Sequence, residues 1–324
     1  MVFNVEGVRP ERIHRMSRLR KEMRGMRALW VGFLLLSGVA GIGAVEALPE
    51  FLSIDRTPEE VAGNPARVTV RPDDTSAAVE EWFFDTDGRL VRKEIQQPGS
   101  FALTTRYRYA DDGQLVEWFQ HGIDERRLWG YRLEYDAPGR LIRVITEGPG
   151  GQIEYIEEYS YRNGLLHESV LYNAAGMPMW RRKIEQTSDA VAWRLLQPNG
   201  ILFSQGHREY DNGRLRREEV RDSGGAVIER IEYRYDGQGR LLLREMYDAV
   251  RLVERTTNSY ISDTLHFSRI IAPQEQGQRI THVLTRLDDR GNWTRQVVTD
   301  LFEEAGEVTV VDSRLQTRTI EYQE

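Results

Sequence analysis

The residues of this 324-residue chain best suited to chemistry are aromatic, and they recur on alternate positions. Trp82, Tyr107, Tyr131, Tyr159 and Tyr233 each lie where every second residue is aromatic or branched, as in "VIERIEYRY" from Val227 to Tyr235. An exposed row of such rings stacks sugars or anchors a peptide, because ring faces are apolar while hydroxyl and indole edges donate hydrogen bonds. These five are the candidate ligand-binding residues, and a glycan or a cell-envelope protein is the expected partner. The competing reading makes the rings the packing layer of a sheet, and it is preferred for Tyr109, Tyr135 and Tyr235, which stand next to turns.

Other chemistries find little support. The six histidines (His14, His121, His167, His207, His266 and His282) share no metal-binding or nucleophile–base spacing. Glu157-Glu158 and Glu218-Glu219 are adjacent, so on a strand they point to opposite faces and cannot work as an acid–base pair. Asp85-Thr-Asp87-Gly88 resembles a calcium loop with Glu94 in the last ligand place, but Phe83 occupies the first, so a turn is expected instead. No dinucleotide glycine fingerprint or P-loop occurs. The expectation is therefore a non-enzymatic protein with no cofactor and no metal. The alternative, a carbohydrate-active enzyme with acids on a β-scaffold, rests only on abundant carboxylates.

The elements that must carry these rings are strands. Turns of one kind recur at "FDTDGRL" (Phe84 to Leu90), "YADDGQL" (Tyr109 to Leu115), "YDAPGRL" (Tyr135 to Leu141), "YRNGLL" (Tyr161 to Leu166), "YDNGRL" (Tyr210 to Leu215), "YDGQGRL" (Tyr235 to Leu241) and "LDDRGNW" (Leu287 to Trp293). Their glycines stand 25, 26, 25, 49, 26 and 52 residues apart, so two degenerate turns are expected near Ser188 and Leu265, giving about nine units. A second set of breaks, among them Pro98-Gly99, Asn199-Gly200 and Ala305-Gly306, halves each unit into segments of strand length. Period two with aromatic and β-branched residues is the half-buried strand pattern.

The turn chemistry fixes the register. In "YDGQGRL" a three-residue loop with Gly239 in the left-handed region sets Asp236 opposite Arg240 and Tyr235 opposite Leu241. In "YDNGRL" the loop shortens to Asn212-Gly213 and the tyrosine moves one residue closer, so Tyr210 still faces Leu215. A one-residue slip would turn every side chain over, so this compensated deletion shows that the repeat preserves an aromatic–leucine ladder.

These motifs resemble the Tyr-Asp repeats of bacterial Rhs-like proteins, whose pattern is Y-D-x-x-G-R-L followed by a strand. "LDDRGNWTRQ" with "RTIEY" (Arg318 to Tyr322) is similar to the Gly-Asn-Trp-Thr unit that closes such arrays in secreted bacterial proteins. The resemblance covers residues 78–324, weakly in 187–206 and 251–277, and its Asn-Gly units also resemble short MORN-type repeats. It implies a β-repeat fold and says little of activity. Large members build hollow shells around a toxin segment and cut themselves. Here the units are too few for a cage, and neither the Asp-Pro-x-Gly cleavage pattern nor a toxin extension is found, so a component or remnant of a toxin or secretion system is a further alternative.

Composition bounds partner and compartment. Eight Arg or Lys residues between Arg9 and Arg27 precede the apolar run Ala28 to Ala47, the order of a secretory signal, with cleavage expected before Leu48. An uncleaved anchor is the other reading, since about 20 apolar residues can just span a bilayer. The net charge is -7, and -11 once residues 1–47 are removed, which argues against nucleic acid. A lipid-embedded barrel is also disfavoured. Arg92, Glu117, Arg143, Glu168, Arg217 and Arg295 are read on the ladder face and Arg89, Arg140, Arg214 and Arg240 on the other, so neither face suits lipid.

The sequence thus predicts an all-β protein: residues 1–47 a signal or anchor, 48–77 a linker or cap, and 78–324 tandem antiparallel β-hairpins forming a long twisted or coiled meander sheet or open shell. It is expected to be exported to the periplasm, cell surface or medium and to act there as a binding or structural module.

Overall fold

The computed structural model describes residues 61–99, 102–274 and 277–323. The signal or anchor in residues 1–47 lies outside them, as do residues 48–60 of the stretch read as linker or cap.

Twenty strands follow one another: β1 (Pro65–Pro72), β2 (Val79–Phe84), β3 (Leu90–Gln96), β4 (Ala102–Tyr109), β5 (Leu115–His121), β6 (Arg127–Tyr135), β7 (Leu141–Glu147), β8 (Ile153–Arg162), β9 (Leu165–Asn173), β10 (Pro178–Gln186), β11 (Ala190–Leu196), β12 (Leu202–Asp211), β13 (Arg214–Asp222), β14 (Val227–Tyr235), β15 (Leu241–Asp248), β16 (Arg251–Ser262), β17 (Leu265–Gln274), β18 (Gly277–Leu287), β19 (Trp293–Glu304) and β20 (Glu307–Tyr322). Each pairs antiparallel with its sequence neighbours, and β20 also pairs with β1. The expected open sheet is therefore a closed barrel. Closure removes the two free edges that an open meander would expose. Pro65–Pro72, within the stretch read as linker or cap, is part of the wall.

The turn register is the one the sequence predicts. Phe84 faces Leu90, Tyr109 Leu115, Tyr135 Leu141, Tyr161 Leu166, Tyr210 Leu215, Tyr235 Leu241 and Leu287 Trp293. In the longer loop the Gly239 N–H donates to the Asp236 carbonyl at 3.0 Å and the Asp236 N–H to the Arg240 carbonyl at 2.9 Å, with Gly239 at φ 84°. In the shorter loop Asn212 and Gly213 lie at φ 50° and 76°, the two left-handed residues of a type I′ turn. The degenerate turns fall at Thr187–Ala190 and at Asp263-Thr264.

The sequence did not foretell a bulge immediately after the ladder residue. Phe83 pairs with Arg92 while Phe84 pairs with Leu90, leaving Val91 extra, and the same shift recurs at Val116, Ile142, His167, Arg216, Leu242 and Thr294. A bulge bends the strand and reverses the alternation beyond it. Arg92, Glu117, Arg143, Glu168, Arg217 and Arg295 consequently lie on the face opposite the ladder, which corrects the reading that put them beside it.

Stagger closes the ring. From Trp82, two residues before Phe84, the paired path runs through Lys93 to Thr105, four before Tyr109, and through Gln120 to Trp129, six before Tyr135. The path recedes from the tyrosine turns as the chain advances, so the strands tilt. Twenty strands at ~4.8 Å and a tilt of about 35–45° would close on a circle roughly 40 Å across. The Tyr–Leu pairs are the non-hydrogen-bonded kind; Tyr210, for example, donates its N–H away from its partner, to the Asp189 carbonyl at 2.8 Å. Viewed from the tyrosine face, with the tyrosine turns upward, the chain therefore advances to the left. The right-handed coil of β-barrels then places that face inside. Accessibility agrees: Arg106, Arg108, Arg132, Glu134, Arg181, Lys183, Glu185 and Arg194 are exposed on the outer face, whereas Trp82, Tyr107, Tyr131 and Tyr159 are buried on the inner one.

Successive hairpins are bound through the motif itself. Tyr109, Tyr135, Tyr161 and Tyr235 donate their hydroxyls to the carbonyls of Leu90, Leu115, Leu141 and Leu215, the ladder leucines one unit back, at 2.8–2.9 Å, and Tyr260 donates to Leu241 at 3.1 Å. Where arginine follows Gly88, Gly139 and Gly239 it is held by the turn aspartate, Arg89 by Asp85 at 2.8 Å, Arg140 by Asp136 at 2.8 Å and Arg240 by Asp236 at 2.7 Å. It lies over the next ring: Arg89 over Tyr109, Arg140 over Tyr161 and Arg240 over Tyr260, at 5.3, 4.8 and 4.3 Å from the centroid. Gly239 is required twice over, by its φ and because a Cβ there would stand 2.1 Å from the Arg214 guanidinium of the preceding unit.

Two outcomes follow. Tyr235→Phe keeps the ring but orphans the Leu215 carbonyl and should cost about 1 kcal/mol in denaturant unfolding, while Tyr235→Ala and Leu241→Ala should couple rather than add. Second, the turn carboxyls titrate low. At Asp236 the Arg240 N–H bond, against some burial, and the Arg240 guanidinium depress the pKa; at Asp136 the Arg140 guanidinium leads; at Asp85 burial pushes upward but the Arg89 bonds outweigh it. Depressed carboxyls stabilise the fold above the unfolded pKa of about 4, and that contribution is lost as pH falls through their folded values. Thermal melts should drop steeply below about pH 4, and less steeply with Asp85→Asn, Asp136→Asn and Asp236→Asn combined.

Candidate binding wall

All five aromatic candidates lie on the inner face, on β2, β4, β6, β8 and β14. They do not form an exposed row. Trp82, Tyr107, Tyr131 and Tyr159 are 5, 8, 8 and 6% exposed, and only Tyr233 is half-buried. The rings cover one another and are covered by inner-face cations, which leaves little ring face for stacking.

One group of rings is brought together. Trp118, on β5, has its centroid 6.3 Å from Tyr107, 5.0 Å from Tyr131 and 5.0 Å from Trp129, and Trp129 meets Tyr131 edge-on at 5.5 Å. Offset and edge-to-face contacts at these spacings contribute about 0.5–1.5 kcal/mol per pair beyond burial. Trp118 and Trp129 were not among the candidates. The bulge at Val116 explains the first: counted by twos from Leu115, Trp118 falls on the wrong face, and only the extra residue returns it to the ladder side.

The remaining candidates stand apart. Trp82 donates its indole N–H to Glu80 at 3.2 Å and lies beneath Lys93 and Arg318, at 5.3 and 4.8 Å. Tyr159 donates its hydroxyl to Glu157 at 2.6 Å, beside Arg182, whose pKa burial lowers to about 10 against the pull of Glu157 and Tyr159. Tyr233 lines a shallow cleft with Arg214, Arg217, Glu232 and Asp236 near the tyrosine turns, and burial, then the charge of Glu218, raises its hydroxyl pKa. Trp193 lies flat over Gly206, where a Cβ would meet its ring at 2.2 Å.

Inner-wall acids are matched by cations. Asp300 accepts from Thr281 at 2.5 Å, Arg279 at 3.0 Å and Arg314 at 3.1 Å. Burial works against ionisation there, but Thr281 and the two arginines hold the carboxyl below its ordinary range. On the outer wall Arg and Glu alternate across strands: Arg108 meets Glu117 at 2.7 Å, Arg127 and Arg132 meet Glu147 at 2.8 and 2.6 Å, and Arg143 meets Glu134 and Glu158 at 3.2 and 2.7 Å. Cross-strand charge pairs of this kind suit a face in water. Among the described residues no three His, Asp or Glu side chains converge as a metal site.

No family model matches the chain, and no curated protein matches it. Solved structures similar to it include a porin-like protein from Bacteroides uniformis, at 12% identity over 81% of this chain and 99% of that one, with a TM-score of 0.37. A porin-like protein from Bacteroides vulgatus is similar at 12% identity over 80% and 98%, with a TM-score of 0.32. A chain of the TcdB2-TccC3-Cdc42 crystal structure is similar at 12% identity over 72% of this chain and 15% of that one, with a TM-score of 0.27. At such scores these likenesses carry no argument about function.

The ring cluster should behave as packing. Tyr131→Ala and Trp118→Ala should each cost about 3 kcal/mol and lower the melting temperature. Retention of the wild-type melt in either variant would show that the rings are dispensable for the fold and are free to serve a ligand.

Proposed function

We propose that this chain is an exported, non-enzymatic repeat barrel of the Tyr-Asp type that works in an aqueous compartment of the cell envelope as a binding or structural module. The observation that carries the reading is the charge of the outer wall. Arg106, Arg132, Arg181, Lys183 and Arg194 are exposed at mid-strand, and one such charge at the middle of a bilayer costs roughly 2–4 kcal/mol in a lipid-embedded barrel. The order of basic, apolar and small residues from Arg9 to Ala47 supports export.

The absence of catalysis is part of the proposal. A carboxyl that serves as general acid at neutral pH needs a raised pKa, whereas Asp300 is held low by Thr281 and its arginines. With the inner rings buried, the outer wall and the two rims are the surfaces open to a glycan or an envelope protein.

Fractionation with mass spectrometry tests this reading. The protein should be recovered from the envelope's aqueous compartment with an N-terminus near Leu48, and should partition into the aqueous phase when extracted with detergent. A cleaved chain that enters the detergent phase would overturn it, as would intact Met1 in the cytosol.

A further inference from the structure

The barrel wall is not level at the rim opposite the tyrosine turns. β20 pairs with β19 from Glu307 to Thr317, but with β1 only from Gln316 to Tyr322, and the last bond on that side is from the Asp73 N–H to the Leu315 carbonyl at 2.9 Å. Among the described residues Glu307–Arg314 thus rises above the β1–β2 turn with a partner on one edge alone. All eight residues are exposed, and Val308, Val310 and Val311 are 56, 63 and 65% exposed.

The backbone on the open edge is ready to pair. Glu304 and Glu307 flank the two-residue turn Ala305-Gly306 and bond to each other, so Val308 and Val310 turn their N–H and C=O groups outward. The bulge at Val311 shifts the parity, and Ser313 then points outward, in step with Leu315, whose carbonyl does so. Native edges are blunted with lysine, proline or inward charges. Neither lysine nor proline occurs from Val308 to Ser313; Asp312, paired with Asp300 on the inner face, and the bulge beside it are the two blunting features there, and Val308 to Val310 carry none.

We infer that this edge is a self-association surface, on which a second copy of the chain adds its own Glu307–Arg314 segment antiparallel about a two-fold axis. The segment is complementary to itself. Centred between Val310 and Val311, the pairing sets Glu307 against Arg314, Thr309 against Asp312 and Val308 against Ser313 of the other copy. The bulge keeps each pair on one face and matches the outward-bonding Val308 with the outward-bonding Ser313. An isologous contact of this form satisfies both open edges and stops at two. It is independent of the compartment and of the envelope role proposed above.

Sedimentation equilibrium on the protein as recovered from cells provides the test. The expected result is twice the chain mass at high concentration, falling to one chain mass on dilution. Val308→Lys with Val310→Lys should abolish the dimer and leave the thermal melt unchanged, because both side chains are exposed. Since the chain has no cysteine, Thr309→Cys with Asp312→Cys reports the register, and should give a disulfide-linked dimer on oxidation that reverts on reduction. A single chain mass at every concentration, a dimer that survives the lysine pair, or cross-linked ladders beyond two chains would overturn the inference.

Discussion

The bond from a turn tyrosine to the carbonyl of the preceding ladder leucine, made by Tyr109, Tyr135, Tyr161, Tyr235 and Tyr260, holds the architecture together. Each such leucine faces its own tyrosine in a non-hydrogen-bonded pair, so its N–H and C=O point toward the following hairpin. There the ladder has already ended: β3 and β4 first pair at Arg92 with Arg106, and β5 and β6 at Glu117 with Arg132. The stagger that tilts the strands thus leaves a carbonyl without a backbone donor at these steps, and a buried carbonyl must be paired. The hydroxyl of the next tyrosine reaches it, which is why phenylalanine would not serve.

The other motif residues support that bond. Aspartate fixes the turn by accepting backbone N–H groups and anchors the arginine, the arginine covers the ring that donates, and glycine leaves room for the arginine of the preceding unit. Contacts of this kind reach only one unit forward or back, so stability is a sum of hairpins and the interfaces between neighbours. The largest fully buried side chains are Val68, Thr285 and Pro65, as expected of a single wall rather than a layered core.

The ring closes by assembling one unit from the two ends of the described chain. Tyr322 faces Pro65 as a turn tyrosine faces its leucine, with Ala66 as the bulge, and Arg290 lies over the Tyr322 ring at 3.7 Å. Gln323 donates to the Asp85 and Pro65 carbonyls, and Asn292, standing where other turns have arginine, bonds both Ala62 and Tyr322. The Gly-Asn-Trp variant of the turn is therefore a clasp. Because β20 is longer than β1, the same seam leaves the step whose open edge carries Val308, Val310 and Val311.

The sequence by itself determined the repeat, the turn types and the tyrosine–leucine register, because these rest on local chemistry: glycine and asparagine tolerate positive φ, and period two admits only one face. It also placed the five candidate rings on a common face. The tertiary structure decided the rest. Bulges at Val91, Val116 and their counterparts leave no mark in the alternation, so Trp118 was missed and Arg92 assigned to the wrong side. Burial of Trp82, Tyr107, Tyr131 and Tyr159 depends on neighbours from other strands and on curvature. Closure depends on accumulated stagger returning β20 to β1, a sum over the whole ring that no single unit contains.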